Sequence, residues 1–419
     1  MVVARGFADL DSLSRPQLLA VAHDYMLSGF HGVKALGVTL AMRGGLDEDA
    51  STAVNIDQWM GVSPVYTNRM RQVMGIEGDD VPAIMKALQL DVGFCHEYMD
   101  VAYSVTDPLH GEFRLLHCGA LIDIEPLGEA QVFNMCHTIE DPTFDATALA
   151  TNPRAQIRPV HRPPRVPADR HPHCHWTIVI DEANDPVGPI ALTQRMSNLP
   201  LATVPNTIAD RGTTTGRNDY RGDFDPNFRL RDFADPALAA AAREFQMQAH
   251  LLAASLQATV ADRIGEDATR AIVDEAWLGA SWIVAERLPA AIELGTGAEA
   301  VGAALRLTPM LPPGFDRTVT VDGEHVTCEL VATHDGLVDP DHPGWCGSLT
   351  RGSIGLAEGT AAGLGYEATG VSVAAGHNRV RIAFGVGPAD AGRREPDVVG
   401  LSRFGRTASW TFDLSESIR

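Results

Sequence analysis

The sequence predicts an α+β protein of two tandem, pseudo-repeated domains, each made of helices plus an antiparallel sheet. Three observations predict it. Segments with apolar residues at helical spacing precede strand-rich runs, with helical patterns at 65–74 and 80–90 and again at 238–256, 267–288 and 297–307. Turn chemistry, Asp107-Pro108-Leu109-His110-Gly111, separates the first two strand-rich runs. Landmarks of the first half also recur in the same order in the second. His110-Gly111-Glu112-Phe113 matches Asp322-Gly323-Glu324-His325, and Met135-Cys136-His137 matches Trp345-Cys346-Gly347. His173 precedes one strand as His377 precedes another. The offsets are 212 (His110 to Asp322), 210 (Cys136 to Cys346) and 204 (His173 to His377). The boundaries drawn from this are a Cys/His-rich domain at 1–182 that carries the site, a linker at 183–236, and a second, degenerate copy at 237–419.

Bulk properties agree with that plan. A chain of 419 residues holds two or three domains at roughly 100–200 residues each. With 45% hydrophobic residues it can bury real cores. A net charge of −21 argues against nucleic acid, because each phosphate contact needs a local cation. Six cysteines are too few for a disulfide scaffold, and acidic residues at Asp9 and Asp11 come too early for a signal peptide. Nothing reaches the run of about 18 apolar residues that a membrane span needs. A soluble, cytoplasmic protein with no membrane partner is expected; assembly into a homo-oligomer is left open.

The elements follow in order. Ser14 is the N-cap of a helix with Pro16 in its first turn, and Leu18, Leu19, Val21, Ala22, Tyr25 and Met26 give its apolar face. The helical patterns at 65–74 and 80–90 flank a loop at 75–79. Runs at 97–105 and 112–124 read as an antiparallel hairpin. Residues 131–150 read as a helix with a break at Asp141-Pro142, 154–170 as an arginine- and proline-rich loop, and 176–180 as a strand. Residues 183–236, rich in Asn, Asp, Gly, Pro and Thr with Thr213-Thr214-Thr215 at their centre, read as a connection.

Chemistry concentrates in the first copy: eight of the fifteen histidines and four of the six cysteines lie between 95 and 175. His173 and His175, two apart at the start of a strand, would share a face and can bind one metal ion, with Cys174 beside them. A polar loop end with an incidental buried cysteine is the alternative. Cys136 at a helix start is a metal ligand, a nucleophile or a packed thiol. His137 and Glu140 share that helix's face, which makes Glu140 a ligand or base. His117 and Glu125 add a third histidine and a carboxylate for metal or proton transfer, against the plainer reading of a satisfied sheet histidine. Tyr98 reads as pocket wall or solvated hairpin face. Arg158, Arg162 and Arg165, with His161 among them, suit a carboxylate or phosphate of a substrate, or pair with acidic neighbours. No phosphate loop, dinucleotide fingerprint or nucleophile elbow occurs.

Cys136 before a helix and Cys174 entering a strand resemble the 4-vinyl-reductase-like small-molecule-binding domain and the L-2-amino-thiazoline-4-carboxylic acid hydrolase family. The resemblance covers roughly 15–182 and more faintly 237–386. It departs from the pattern in the extra histidines and the long Arg/Pro loop. It implies an α+β ligand-binding fold and metal binding. The expectation is therefore a zinc- or iron-assisted hydrolase or lyase that cleaves a C–N or C–S bond in a small anionic substrate. His117, His137, His173, His175 and Cys174 would hold the metal. Glu125, Glu140 and Cys136 would act on the substrate. The alternatives are a non-catalytic binding or sensor protein and a non-haem iron redox enzyme.

Overall fold

The computed structural model describes residues 5–96, 98–210, 215–389 and 394–403; Glu97, Thr213 and Thr214, used above, lie outside them. Capping sets the first helices. Ser14 and Gln17 form a capping box that opens α1 (Arg15–Gly44), and Gly45 closes it at φ 62°. Asp47 accepts from the Ala50 N–H to open α2 (Glu48–Met74), and Asp80 does the same for Ala83 at α3 (Val81–Leu88). The hairpin follows as β1 (Met99–Asp107) and β2 (His110–Cys118).

Three departures from the expected elements have physical causes. The strand expected to reach 124 stops at Cys118, whose Sγ accepts from the Leu121 N–H at 3.4 Å and turns the chain into α4 (Gly119–Ile124). The next helix runs as α5 (Glu129–Phe133), a wide π-helical turn (Asn134–Ile139) and α6 (Glu140–Leu149). Pro142 has no N–H to donate and its ring crowds the carbonyl one turn back, so the strain is taken up as a widened turn rather than a break. The Arg/Pro segment, expected as loop throughout, contains β3 (Ala155–His161). Only Ala155 and Ile157 point inward there, too short an alternation to read, and as an edge strand it tolerates Pro159. Then come β4 (Cys174–Ile180) and α7 (Ala191–Ser197).

The second half repeats this order: α8 (Asp235–Ile264), α9 (Glu266–Ala291), α10 (Gly297–Leu307), β5 (Phe315–Asp322), β6 (His325–Ala332), α11 (Trp345–Thr350), α12 (Gly355–Gly363), β7 (Tyr366–Ala375), β8 (Arg379–Pro388) and α13 (Asp397–Ser402). The two antiparallel sheets have the same strand order, β1-β2-β4-β3 and β5-β6-β8-β7. The hairpin ends pair Asp107 with His110 and Asp322 with His325, so His110 corresponds to His325 and not to Asp322. Phe113 pairs with Trp176 as Cys328 pairs with Ile382, so the register counterpart of His173 is Arg379 and not His377. Short residue matches slip by two or three positions where strand pairing does not. The repeat also takes in α7, within the stretch read as a linker. Leu192 of α7 packs on Gly61 of α2, as Val398 and Ser402 of α13 pack on Gly279 of α9.

The halves interlock rather than stand side by side. Helix α1 packs on α8 and α9, while α2 packs on α8. Every residue of α8 from Pro236 to Ala261 is buried, as expected for a helix enclosed on all sides. Glu244 of α8 pairs with Arg69 of α2 at 2.8 Å, and Asp24 of α1 pairs with Arg287 of α9 at 2.7 Å. Asp24 and Glu244 are each the tenth residue of their helix, and Arg69 and Arg287 each the twenty-second. The two buried bridges are thus equivalents across the repeat, the reciprocal pattern of a two-fold interface. One continuous core runs through both halves.

Candidate functional site

A cavity of about 530 Å³ opens between α1, α2, the 134–147 helical path and the inner face of the first sheet, with Leu256 of α8 closing one side. Phe30, Trp59, Phe94 and Phe144 are among its walls. The repeat shows why it exists. In the second copy Gly355, Gly359 and Gly363 let α12 lie directly on α9. A Cβ at Gly359 would stand 2.4 Å from the Leu278 carbonyl oxygen, and one at Gly363 2.3 Å from that of Trp282. At the same spacing α6 carries Glu140, Phe144 and Ala148, of which Glu140 and Phe144 line the cavity. Trp277 of α9 is fully buried and donates its indole N–H to the Met310 carbonyl at 3.1 Å. Trp59, at the same position of α2, is half-buried and lines the cavity, and among the described residues its indole N–H has no hydrogen-bond acceptor.

Polar groups sit at defined points of this wall. Lys34 Nζ lies 2.8 Å from Asp123 Oδ2 and 2.9 Å from Tyr98 Oη, and Tyr98 donates to the same carboxylate. The ammonium also lies over the rings of Phe30 and Tyr98. Burial lowers the Lys34 pKa while Asp123 opposes the shift. Tyr66 donates to Asp91 at 3.1 Å and the Gly93 N–H donates at 2.7 Å; burial still pushes Asp91 up to about 6. At the mouth Gln131 donates to Glu48 at 3.1 Å and Asn134 to Thr52 at 2.7 Å, bridging α5 and the π-helical turn to α2.

Glu140 stands apart. It is half-buried and lines the cavity. Burial pushes it up to about 8 against the pull of Arg162. Among the described residues that carboxyl makes no hydrogen bond or ion pair. It also borders a smaller void of about 10 Å³, roughly the room for one water, lined by Cys118, Cys136, His173 and Cys174.

The residues singled out from the sequence divide accordingly. Cys136 and Cys174, far apart in the chain, do meet at this void, and Glu140 joins them. Burial pushes Cys118 up to about 12 and drives the other two thiols further the same way, so all three are protonated at neutral pH. Cys136 lies inside a continuous helical path, not at a helix start, and so lacks the N-terminal field expected for it.

Three of the expected metal ligands bond separate partners in the protein. His137 Nε2 bonds the Pro163 carbonyl at 2.8 Å and its ring stacks on Phe133. His175 Nε2 bonds Glu112 at 2.8 Å, with His161 as its ring neighbour. His173 Nδ1 accepts the Cys118 N–H at 3.2 Å beside His117, and burial holds its pKa at about 4. Among the described residues no three His, Cys, Asp or Glu side chains are arranged to hold a metal ion.

The loop arginines are also committed. Arg158 pairs with Asp145 at 2.8 Å, Arg165 with Glu125 at 2.8 Å, and Arg162 with Asp141 while lying over the Trp176 ring. Arg170, in the same segment, is exposed, while Glu125 is engaged by Arg165. The sequence reading missed Lys34, Asp91 and Asp123. The available signal was Lys34 itself, one of two lysines in the chain, set on the apolar face formed by Phe30, Val33 and Val38. No helix among the described residues is long and apolar enough to cross a membrane.

No family model, curated protein or solved structure matches this chain.

Proposed function

We propose that the chain binds a small, largely apolar molecule in the cavity beside its first sheet. The cavity itself carries the reading. Its volume of about 530 Å³ falls within the roughly 300–1,000 Å³ of pockets that hold drug-sized ligands, and its walls combine apolar surface with a few placed polar groups. The glycine-sealed packing of α12 on α9 supports it, since the same fold position is closed where no ligand is needed. A second reading, acid–base cleavage of a C–N or C–S bond at the same site, rests on Glu140. A carboxyl titrating near neutrality beside a cavity is suited to proton transfer without an ion.

Titration with a neutral apolar fluorophore tests the binding. Saturation at one site, lost on filling the wall with Thr147→Trp, is the expected result. Equal saturation by the filled variant would refute it. Recovery of each bound ligand chemically unchanged after prolonged incubation favours the binding protein over the enzyme.

A further inference from the structure

We propose that the molecule this cavity takes is a cationic amphiphile, an apolar body bearing one protonated amine that pairs with Glu140. The inference rests on the cavity reading and names the class of its ligand. Its geometric basis is a half-buried carboxylic residue that lines this cavity and the small cysteine-lined void beside it, and that the described residues give no hydrogen-bond donor. A buried group left this way costs stability, and an ammonium would supply both the missing donors and the opposite charge.

The charges around it select the sign. The wall contains Asp47, Glu48, Asp91 and Glu140 against one cation, Lys34, which Asp123 already holds. Arg162, the cation that acts on Glu140, is bound to Asp141. An anionic head would enter an acidic wall whose cations are engaged, whereas Asp47 and Glu48 at the mouth would draw an amine inward. The aromatic walls fit the same class. Phe144 lies one turn from Glu140 on α6 and lines the same cavity, which puts an aromatic ring near an ammonium at the carboxyl. In the second copy Gly355 begins α12 as Glu140 begins α6, and the carboxyl occurs only in the copy that has this cavity.

The test uses the full chain at pH 7 and three naphthalene probes with the same six-carbon tail, ending in an amine, an alcohol or a carboxylate. Displacement of the neutral fluorophore reports each affinity. The amine should bind at least tenfold tighter than the alcohol, with the carboxylate weakest. Glu140→Gln, checked for folding by circular dichroism, should cost the amine tenfold or more and the alcohol less than threefold. Calorimetry in buffers of different ionisation enthalpy should show proton release on amine binding to the wild type and none with Glu140→Gln. Equal affinities for amine and alcohol, or an amine affinity indifferent to Glu140→Gln, overturn the inference and leave the cavity reading standing. Failure of all three probes together with the neutral fluorophore overturns both.

Discussion

Glu140 is the residue whose surroundings matter most. It was legible as a candidate beside Cys136 and His137, but its partners were not. Cys118 and Cys174 reach it through strand pairing and the turn after β2, which no local spacing announces. The partners of the histidines were equally illegible: a proline carbonyl takes His137, Glu112 takes His175, and a backbone N–H takes His173. Glu140 predicts a pH effect whose sign follows from its pKa. The folded state holds it at about 8, above the ordinary value of 4.5, with Arg162 and Asp141 the charges acting on it. Between those values the folded protein keeps a proton that the unfolded chain has released, so the residue lowers stability as pH rises through the window. Glu140→Gln should therefore stabilise the ligand-free protein by about 2–4 kcal/mol at pH 8 and by less than about 0.5 kcal/mol at pH 4.5. Urea unfolding at the two pH values measures this, and a gain that shrinks with rising pH would contradict it.

At the scale of elements, caps and termini were the most readable features. Ser14 with Pro16 placed the start of α1, and the pattern at 297–307 coincides with α10. What escaped was any element whose identity depends on its neighbours. β3 is a strand because β4 offers it hydrogen bonds, and α4 is a helix because the Cys118 side chain takes its first free N–H. The contrast between α6 and α12 is the element-scale decision with functional weight. Glycine at 359 is required because any side chain there would meet the Leu278 carbonyl, backbone that cannot move aside. Gly359→Leu should cost about 1–3 kcal/mol by overpacking without altering ligand affinity at the other copy. Thermal unfolding and the fluorophore titration read the two effects separately; wild-type stability in the variant would mean that α12 does not seal α9.

For the whole molecule, the interlocked helices set the unit of folding. α8 covers both α1 and α2, and the equivalent bridges Asp24–Arg287 and Glu244–Arg69 tie each half to the other. Removing either partner of such a pair leaves a buried charge, at a cost of about 3–5 kcal/mol. A fragment ending at residue 234 would expose the faces of α1 and α2 that α8 covers. It should therefore lack a cooperative unfolding transition alone and recover one when co-expressed with residues 235–419. A soluble, cooperatively folded monomer of the fragment would show that the first half is self-sufficient.

The sequence by itself determined the α+β composition, the existence and order of a repeat, the places of the longer helices and the crowding of cysteines and histidines into one copy. Those follow from periodicity, capping and composition, which act within a few residues. Tertiary structure alone decided that the halves share one core, that the cavity lies between α2 and α6, and that Lys34, Asp91 and Asp123 line or support it. It also decided which neighbours His137, His173, His175 and Arg158, Arg162 and Arg165 pair with. Burial and pairing arise only when distant segments pack, and they determine which side chains remain available for chemistry.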